Sequence, residues 1–230
     1  MGVTRRHFLA GSAAALAAGH ARAQERTPPA TRVRVIDVHA HFLPPILVER
    51  FEANRARFPG VELSLRNPVG AKTGRLLPTG NACDRFDGID ASCVDVAVPM
   101  VILRAADLGK TGRESVEELA RDTALRERLR RIWVEAGLRM GLKKKGGDPM
   151  TADELANSET IPKVCMVAAP QGDDNIEVRY FTPQAPHGSL AVTGGCCLAV
   201  ACLIPGSVAH GLARGLPTLD ASDRVCTVGM

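Results

Sequence analysis

Ser189-Leu190-Ala191-Val192-Thr193-Gly194-Gly195-Cys196-Cys197-Leu198-Ala199-Val200-Ala201-Cys202-Leu203-Ile204 carries no charged side chain and lies between Pro186 and Pro205. Read as a helix, it is apolar on every side, and a helix without a polar face belongs in a protein core. Sixteen residues fall short of the ~20 that a bilayer-spanning helix needs. Its Gly, Ala and Cys side chains are small enough for strands to pack closely around it. The stretch therefore predicts a core helix that surrounding strands can approach closely. Its beginning bears on function. The first turn of a helix has unpaired N–H groups and the positive end of the helix dipole, and both attract carboxylates. His187, Gly188 and Ser189 stand there: glycine lets a ligand approach the backbone, and serine can cap the helix or bond an anion. Cys196 and Cys197, about two turns further in, read as packing residues.

Working outward, short β-branched or apolar runs at 61–65, 92–98, 100–103, 164–169 and 176–181, bounded by Gly, Pro and Asp, predict strands. Ser115-x-x-Glu118 is a capping box that opens a helical region. Within it Leu125, Leu129, Ile132, Trp133 and Ala136 form an amphipathic stripe, which the spacing stops at Gly137. The Arg- and Glu-rich opposite side reads as a solvated face. Residues 143–158 are polar and rich in helix breakers, and read as an inserted mobile loop.

The whole chain has 230 residues, 45% hydrophobic and 23% charged, with a net charge of +4 and a mean hydropathy near zero. Such a composition excludes a multi-span membrane protein and a disordered tail. The charge is concentrated at the start: residues 1–23 hold Arg5, Arg6 and Arg22 and no carboxylate. Removing them leaves 26 basic against 25 acidic residues, counted from 29 and 25. A remainder of +1, with one Trp and one Tyr, gives no reason to expect a nucleic acid or a membrane surface as partner.

Those first 23 residues read as an address. Thr4-Arg5-Arg6-His7-Phe8-Leu9 precedes a short apolar stretch, and Ala21-Arg22-Ala23 supplies the small residues of a cleavage site. Together they resemble a twin-arginine export signal. The expectation is a periplasmic or exported protein, without a stable membrane anchor once the signal is removed, and a cytoplasmic one where the signal does not function. Seven cysteines, an odd number with no C-x-x-C pair, show no zinc-ribbon or redox motif.

Two segments then resemble known families. Val33-Arg34-Val35-Ile36-Asp37-Val38-His39-Ala40-His41 reads as a strand ending in D-x-H-x-H, followed by Pro44-Pro45 and a polar helix. Residues two apart on a strand share a face, so His39 and His41 could offer two imidazoles to one metal. The segment at 33–60 resembles the opening strand and helix of the amidohydrolase superfamily, whose metal-dependent barrels act on carboxylated substrates. A catalytic zinc normally takes three protein ligands, and a complete barrel takes ~250 residues. Only two ligands and one strand–helix unit are present in this segment.

From about residue 65 to 213 a different resemblance takes over. Its marks are Asn67-Pro68-Val69-Gly70-Ala71-Lys72-Thr73-Gly74-Arg75-Leu76-Leu77-Pro78-Thr79-Gly80-Asn81 and Arg104-Ala105-Ala106-Asp107-Leu108-Gly109-Lys110-Thr111-Gly112. Pro162-Lys163-Val164 and His187-Gly188-Ser189-Leu190 follow in the same order. This part is similar to the C-terminal half of the PrpF / 4-oxalomesaconate tautomerase family. The resemblance implies an α+β fold, one half of a diaminopimelate-epimerase-like fold with strands wrapped round a central apolar helix, here preceded by an extra N-terminal strand–helix piece. The domain organisation expected is a signal at 1–23, a linker and amidohydrolase-like fragment at 24–60, and a half-domain at 61–230.

The resemblance also implies an isomerase that moves a proton across a three-carbon allylic unit of a di- or tricarboxylic acid. Examples are 4-oxalomesaconate and the aconitates. No cofactor is implied, because the substrate's own carboxylates and carbonyl delocalise the charge. Thr79, Gly80, His187, Gly188 and Ser189 become the candidate wall of a cleft for a small di- or tricarboxylate; self-association into a homo-oligomer is left open. The family's R-G-G-T-S-K opening and its N-C-G-N segment have no counterpart in residues 1–60, and no cysteine precedes Cys83. No catalytic residue can therefore be assigned, and the expectation is an incomplete and inactive half. The alternatives are a truncated amidohydrolase with one divalent metal such as zinc on His39 and His41, or a non-catalytic rearranged fusion.

Overall fold

Side chains alternate across a pleated strand, and this alternation divides the apolar residues of the chain into two cores on opposite faces of one sheet. The computed structural model describes residues 68–216 and a two-residue strand at 228–229. The export signal, the linker, His39 and His41, the strand expected at 61–65 and Cys226 lie outside the described residues. Strands β1 (Asp84–Phe86), β2 (Ile89–Val96) and β3 (Val98–Arg104) form an antiparallel meander. A 3-10 turn (Ala105–Leu108) then leads to helices α1 (Val116–Arg121), α2 (Thr123–Arg139) and α3 (Ala152–Ala156). Strand β4 (Lys163–Ala168) returns parallel to β3, and β5 (Ile176–Thr182) and β6 (Ala185–His187) continue antiparallel. Helices α4 (Val192–Cys202) and α5 (Val208–Leu212) follow, and β7 (Val228–Gly229) pairs parallel with the start of β5. The strand order is β1-β2-β3-β4-β5-β6.

One face of the sheet presents Ala91, Cys93, Val101, Leu103, Val164, Met166 and Phe181 to the stripe of α2. The other presents Val94, Met100, Ile102, Cys165, Val178 and Tyr180 to α4 and α5. The register explains the division: Val101 pairs with Val164 and Leu103 with Met166, while Ile102 pairs with Cys165 and points the other way. The strands expected at 92–98, 100–103, 164–169 and 176–181 are present with shifted ends. The predicted strand at 92–98 is broken by a reversal at Ala97, whose φ of +61° lies in the left-handed region.

Several expectations change. Ser115 and Glu118 do form the capping box, but it opens only the short α1; Asp122 accepts from the Leu125 N–H and starts α2 afresh. Gly137 does not stop α2. It is buried, and a Cβ there would stand 2.7 Å from Leu155 Cδ2, so this glycine is the notch that admits α3. Residues 143–158 are correspondingly not a free loop. Thr151 and Glu154 make a second capping box, Leu155 is fully buried, and Trp133 Nε1 donates to the Leu155 carbonyl at 3.1 Å. The T-x-x-E spacing was the signal for it.

The apolar rod also differs in setting. Cys197, Leu198, Ala201 and Cys202 of α4 pack on the sheet, but Val192 is 57% exposed, and Thr193, Cys196 and Val200 are only half-buried. α4 lies on the sheet face opposite α2, and among the described residues the side that carries Val192 is left partly open. Among the described residues no helix is long and apolar enough to cross a membrane.

Candidate functional site

The exposed end of α4 is built by β6 and the turn behind it. His187 pairs with Tyr180 across β5 and β6, and the two rings meet edge to face with centroids 6.3 Å apart. His187 Nδ1 lies 2.7 Å from the Ser189 carbonyl oxygen and 3.2 Å from the Ser189 N. Nδ1 of this exposed ring is thus engaged with the Ser189 backbone. Ser189 therefore belongs to a local turn around His187 and is not the helix cap. The cap position is Ala191, which has no side-chain oxygen to offer. The first intrahelical bond runs from the Gly195 N–H to Ala191 O at 2.8 Å. The N–H groups of Val192, Thr193 and Gly194 have no acceptor among the described residues. A helix end with unpaired donors favours negative charge nearby.

Tyr180 lies directly beneath this turn. A Cβ on Gly194 would fall 2.7 Å from Tyr180 Cε2 and 3.0 Å from its hydroxyl oxygen, so only glycine admits the ring. The hydroxyl is buried and has no hydrogen-bond partner among the described residues. Burial, and then the neighbouring Cys165 and Cys197 thiols, push its pKa above the ordinary tyrosine range. Burial likewise pushes the Cys197 thiol up to about 12. Both cysteines are therefore packing groups and not nucleophiles at neutral pH. Cys196 is half-buried on the outer side of α4.

The structure adds Lys163, which the motif Pro162-Lys163-Val164 contained without marking it. It opens β4 two residues before Cys165, so it shares the sheet face that carries Tyr180 and α4. It is half-buried, makes no ion pair with any described carboxylate, and burial lowers its pKa from the ordinary lysine value. A partly desolvated ammonium without a counter-charge favours an incoming anion.

Thr79 and Gly80 are elsewhere. Thr79 Oγ1 donates to Asp84 Oδ2 and Asn81 Nδ2 to Asp84 Oδ1 at 2.9 Å, while the Gly80 N–H closes a turn on Leu77 O. Gly80 holds a φ of +85°, where a side chain would be strained. This turn leads into β1, at the sheet edge opposite β6, and Ala82 lies beside Gly206, beyond the C-terminal end of α4. Five strand spacings of ~4.8 Å separate the two edges along the sheet. The five candidate residues thus do not form one wall: His187, Gly188 and Ser189 cluster at the tip of α4, and Thr79 has its hydroxyl committed to Asp84.

Two other motif blocks also perform structural work. Asp95, fully buried in β2, accepts from the N–H groups of Lys72 and Thr73 at 2.9 and 2.7 Å and from Thr73 Oγ1 at 2.8 Å. It pins the loop at 68–75 to the sheet. In the second block Arg104 pairs with Asp107 at 3.0 Å. Gly112, at φ +82°, lies where a Cβ would meet Ala168 Cβ at 2.7 Å. Among the described residues no group of three His, Cys, Asp or Glu side chains is placed to hold a metal; His39 and His41 lie outside them.

The chain is 38% identical over 164 residues to the 4-oxalomesaconate tautomerase of Pseudomonas putida, covering 71% of this chain and 42% of that protein. It is 33% identical over 153 residues to the (4E)-oxalomesaconate Delta-isomerase of Novosphingobium sp., covering 66% and 40% respectively. The solved structure of methylitaconate-delta-isomerase matches with a TM-score of 0.62 at 26% identity, over 71% of this chain and 44% of that one. The chain therefore spans less than half the length of these relatives. The family described as PrpF protein matches residues 52–220, and with that span, well over half of its length, the chain belongs to the PrpF family.

Proposed function

We propose that this chain supplies the carboxylate-holding wall of a cofactor-independent isomerase that shifts a double bond in an unsaturated di- or tricarboxylic acid. The observation that carries the reading is the open tip of α4. Three unpaired N–H groups stand there beside an exposed His187, and a lysine without a counter-charge lies on the same sheet face. Two positive groups some way apart suit a substrate with more than one carboxylate, one on the helix end and one on the ammonium.

In such an isomerisation a proton leaves one end of a three-carbon unit, the electron pair moves through the double bond, and a proton returns at the other end. Nothing is oxidised or reduced. Negative charge grows on the substrate's carboxylates and carbonyl in between, and donors already fixed at those oxygens stabilise it more than they stabilise the ground state. The part assigned to this chain is binding and charge stabilisation; the acid and base are not assigned to its residues.

The test is a two-dimensional amide NMR titration of the full chain with citrate, a tricarboxylate that cannot isomerise. Saturable shifts at Gly188 and at residues 192–194, weakened at least about threefold in Lys163→Gln, are expected. Shifts absent there, or unaffected by the lysine change, overturn the reading. An absorbance assay with 4-oxalomesaconate, run with and without chelator, addresses the chemistry: turnover abolished by chelator would point to the metal-dependent alternative.

A further inference from the structure

On the side of the sheet away from α4, a cavity of about 180 Å³ opens between α2 and the β5–β6 turn. Its floor is apolar, made by Leu129, Trp133 and Phe181, all buried. Arg126, Arg130 and Glu127 stand at its rim. These arginines differ from the others of the same helix. Arg128 and Arg131 both pair with Asp87, at 3.3 and 3.2 Å, and Arg139 pairs with Glu135 at 2.7 Å. Arg126 and Arg130 have no carboxylate partner among the described residues. Arg126 reaches only the carbonyls of Ala120 and Gln184, at 3.4 and 3.3 Å, and Arg130 only Asn157 Oδ1 at 3.5 Å. These distances are at the outer limit of a hydrogen bond.

We propose that this cavity is a binding site for a small monocarboxylate with a flat apolar body. The body rests on Trp133 and Phe181, and the carboxylate is shared by Arg126 and Arg130. The charge count selects the class: two guanidiniums and Glu127 leave one net positive charge, which suits a monoanion and not a tricarboxylate. The volume selects the size, since it lies below the ~300–1,000 Å³ of drug-sized sites and admits roughly one ring. Arginine is suited to the role because its planar fork bonds a carboxylate through two donors and stacks on aromatic faces. The site is separate from the α4 tip, and its test does not depend on isomerase activity.

Trp133 is the only tryptophan in the chain, so its fluorescence reports occupancy directly. The full chain is titrated with benzoate, with neutral benzyl alcohol of similar shape, and with citrate. The expected result is a saturable change with benzoate and affinities at least about tenfold weaker for the other two. In the Arg126→Gln/Arg130→Gln variant, benzoate affinity is expected to fall at least about tenfold with an unchanged circular dichroism spectrum. If the double variant loses that spectrum, the single variants R126Q and R130Q carry the same test, each with a smaller loss of about threefold. A purely linear quench, an equal response to benzyl alcohol, or undiminished affinity in the arginine variants overturns the proposal.

Discussion

Replacing Gly194 by alanine tests the packing beneath the α4 tip. A methyl group at this position would lie 2.7 Å from Tyr180 Cε2 and 3.0 Å from both Cζ and Oη. Carbon atoms in contact normally stand ~3.5–4.0 Å apart, so the ring or the first turn must move by about 0.8 Å. The ring cannot yield easily: Tyr180 is 1% exposed and held by β4 and β6 on either side. Forcing an extra methyl into a filled core costs about 1–3 kcal/mol, and the better helix propensity of alanine returns at most ~1 kcal/mol. With that return taken in full, the expected net effect is a loss of up to about 2 kcal/mol.

Gly195→Ala is the internal control. Its methyl would meet only Leu190, at 3.4 and 3.7 Å, a half-buried and flexible side chain. The propensity gain of ~0.5–1 kcal/mol should survive there. Urea denaturation followed by circular dichroism reads both variants, through midpoints displaced in opposite directions at a common slope. The displaced first turn of G194A should also weaken citrate at the N–H groups of residues 192–194. Equal midpoints for the two variants would refute the placement of Tyr180 under this turn.

Three further outcomes follow from the same coordinates. Ser92 Oγ donates to Ala82 O at 2.6 Å and accepts from the Val208 N–H at 2.9 Å, the second bond fully buried and the first partly so. Ser92→Ala leaves two groups unpaired and is expected to lose about 2 kcal/mol or more of stability in the same urea assay. Brief iodoacetamide labelling with peptide mapping should modify exposed Cys83 first and half-buried Cys196 more slowly. Cys93, Cys165 and Cys197 should react only in urea, because burial raises all three thiols. Native labelling of Cys197 would contradict the packing. Finally, the side-chain hydrogen bond from Lys110 holds the Asp122 carboxyl below the usual aspartate value. The unfolded chain thus takes up that proton first, so the stabilisation is present above about pH 4 and is lost as the pH falls through the folded value. Lys110→Met should flatten this part of the acid limb in stability measured against pH; an unchanged limb would show that the pair contributes nothing.

Some of this architecture was legible before any coordinates. The stripe Leu125, Leu129, Ile132, Trp133 and Ala136 is buried as its spacing requires, and the strand runs lie where β-branched residues cluster. Such features are local: a period of 3.6 or 2 is decided by the chain's own geometry, and burial then selects the apolar side. Glycines are harder to read where their role is non-local. Gly137 resembles a helix stop until Leu155 is found in its notch, and Gly194 is an ordinary weak helix residue until Tyr180 is placed beneath it.

The candidate site divides along the same line. The apolar, uncharged composition of residues 189–204 determined by itself that this segment belongs in a core, and backbone dipoles made its beginning a candidate for anions, because both follow from side-chain polarity and helix geometry. Only the tertiary structure decided that Ser189 folds back on His187 and leaves Ala191 as a cap without a hydroxyl. Only it set Thr79 against Asp84 at the far edge of the sheet, and brought Lys163 to the face that carries α4. The physical reason is common to all three. A hydrogen-bonding side chain is claimed by whichever partner the sheet register brings within about 3 Å, and register joins residues whose separation along the chain carries no trace of it.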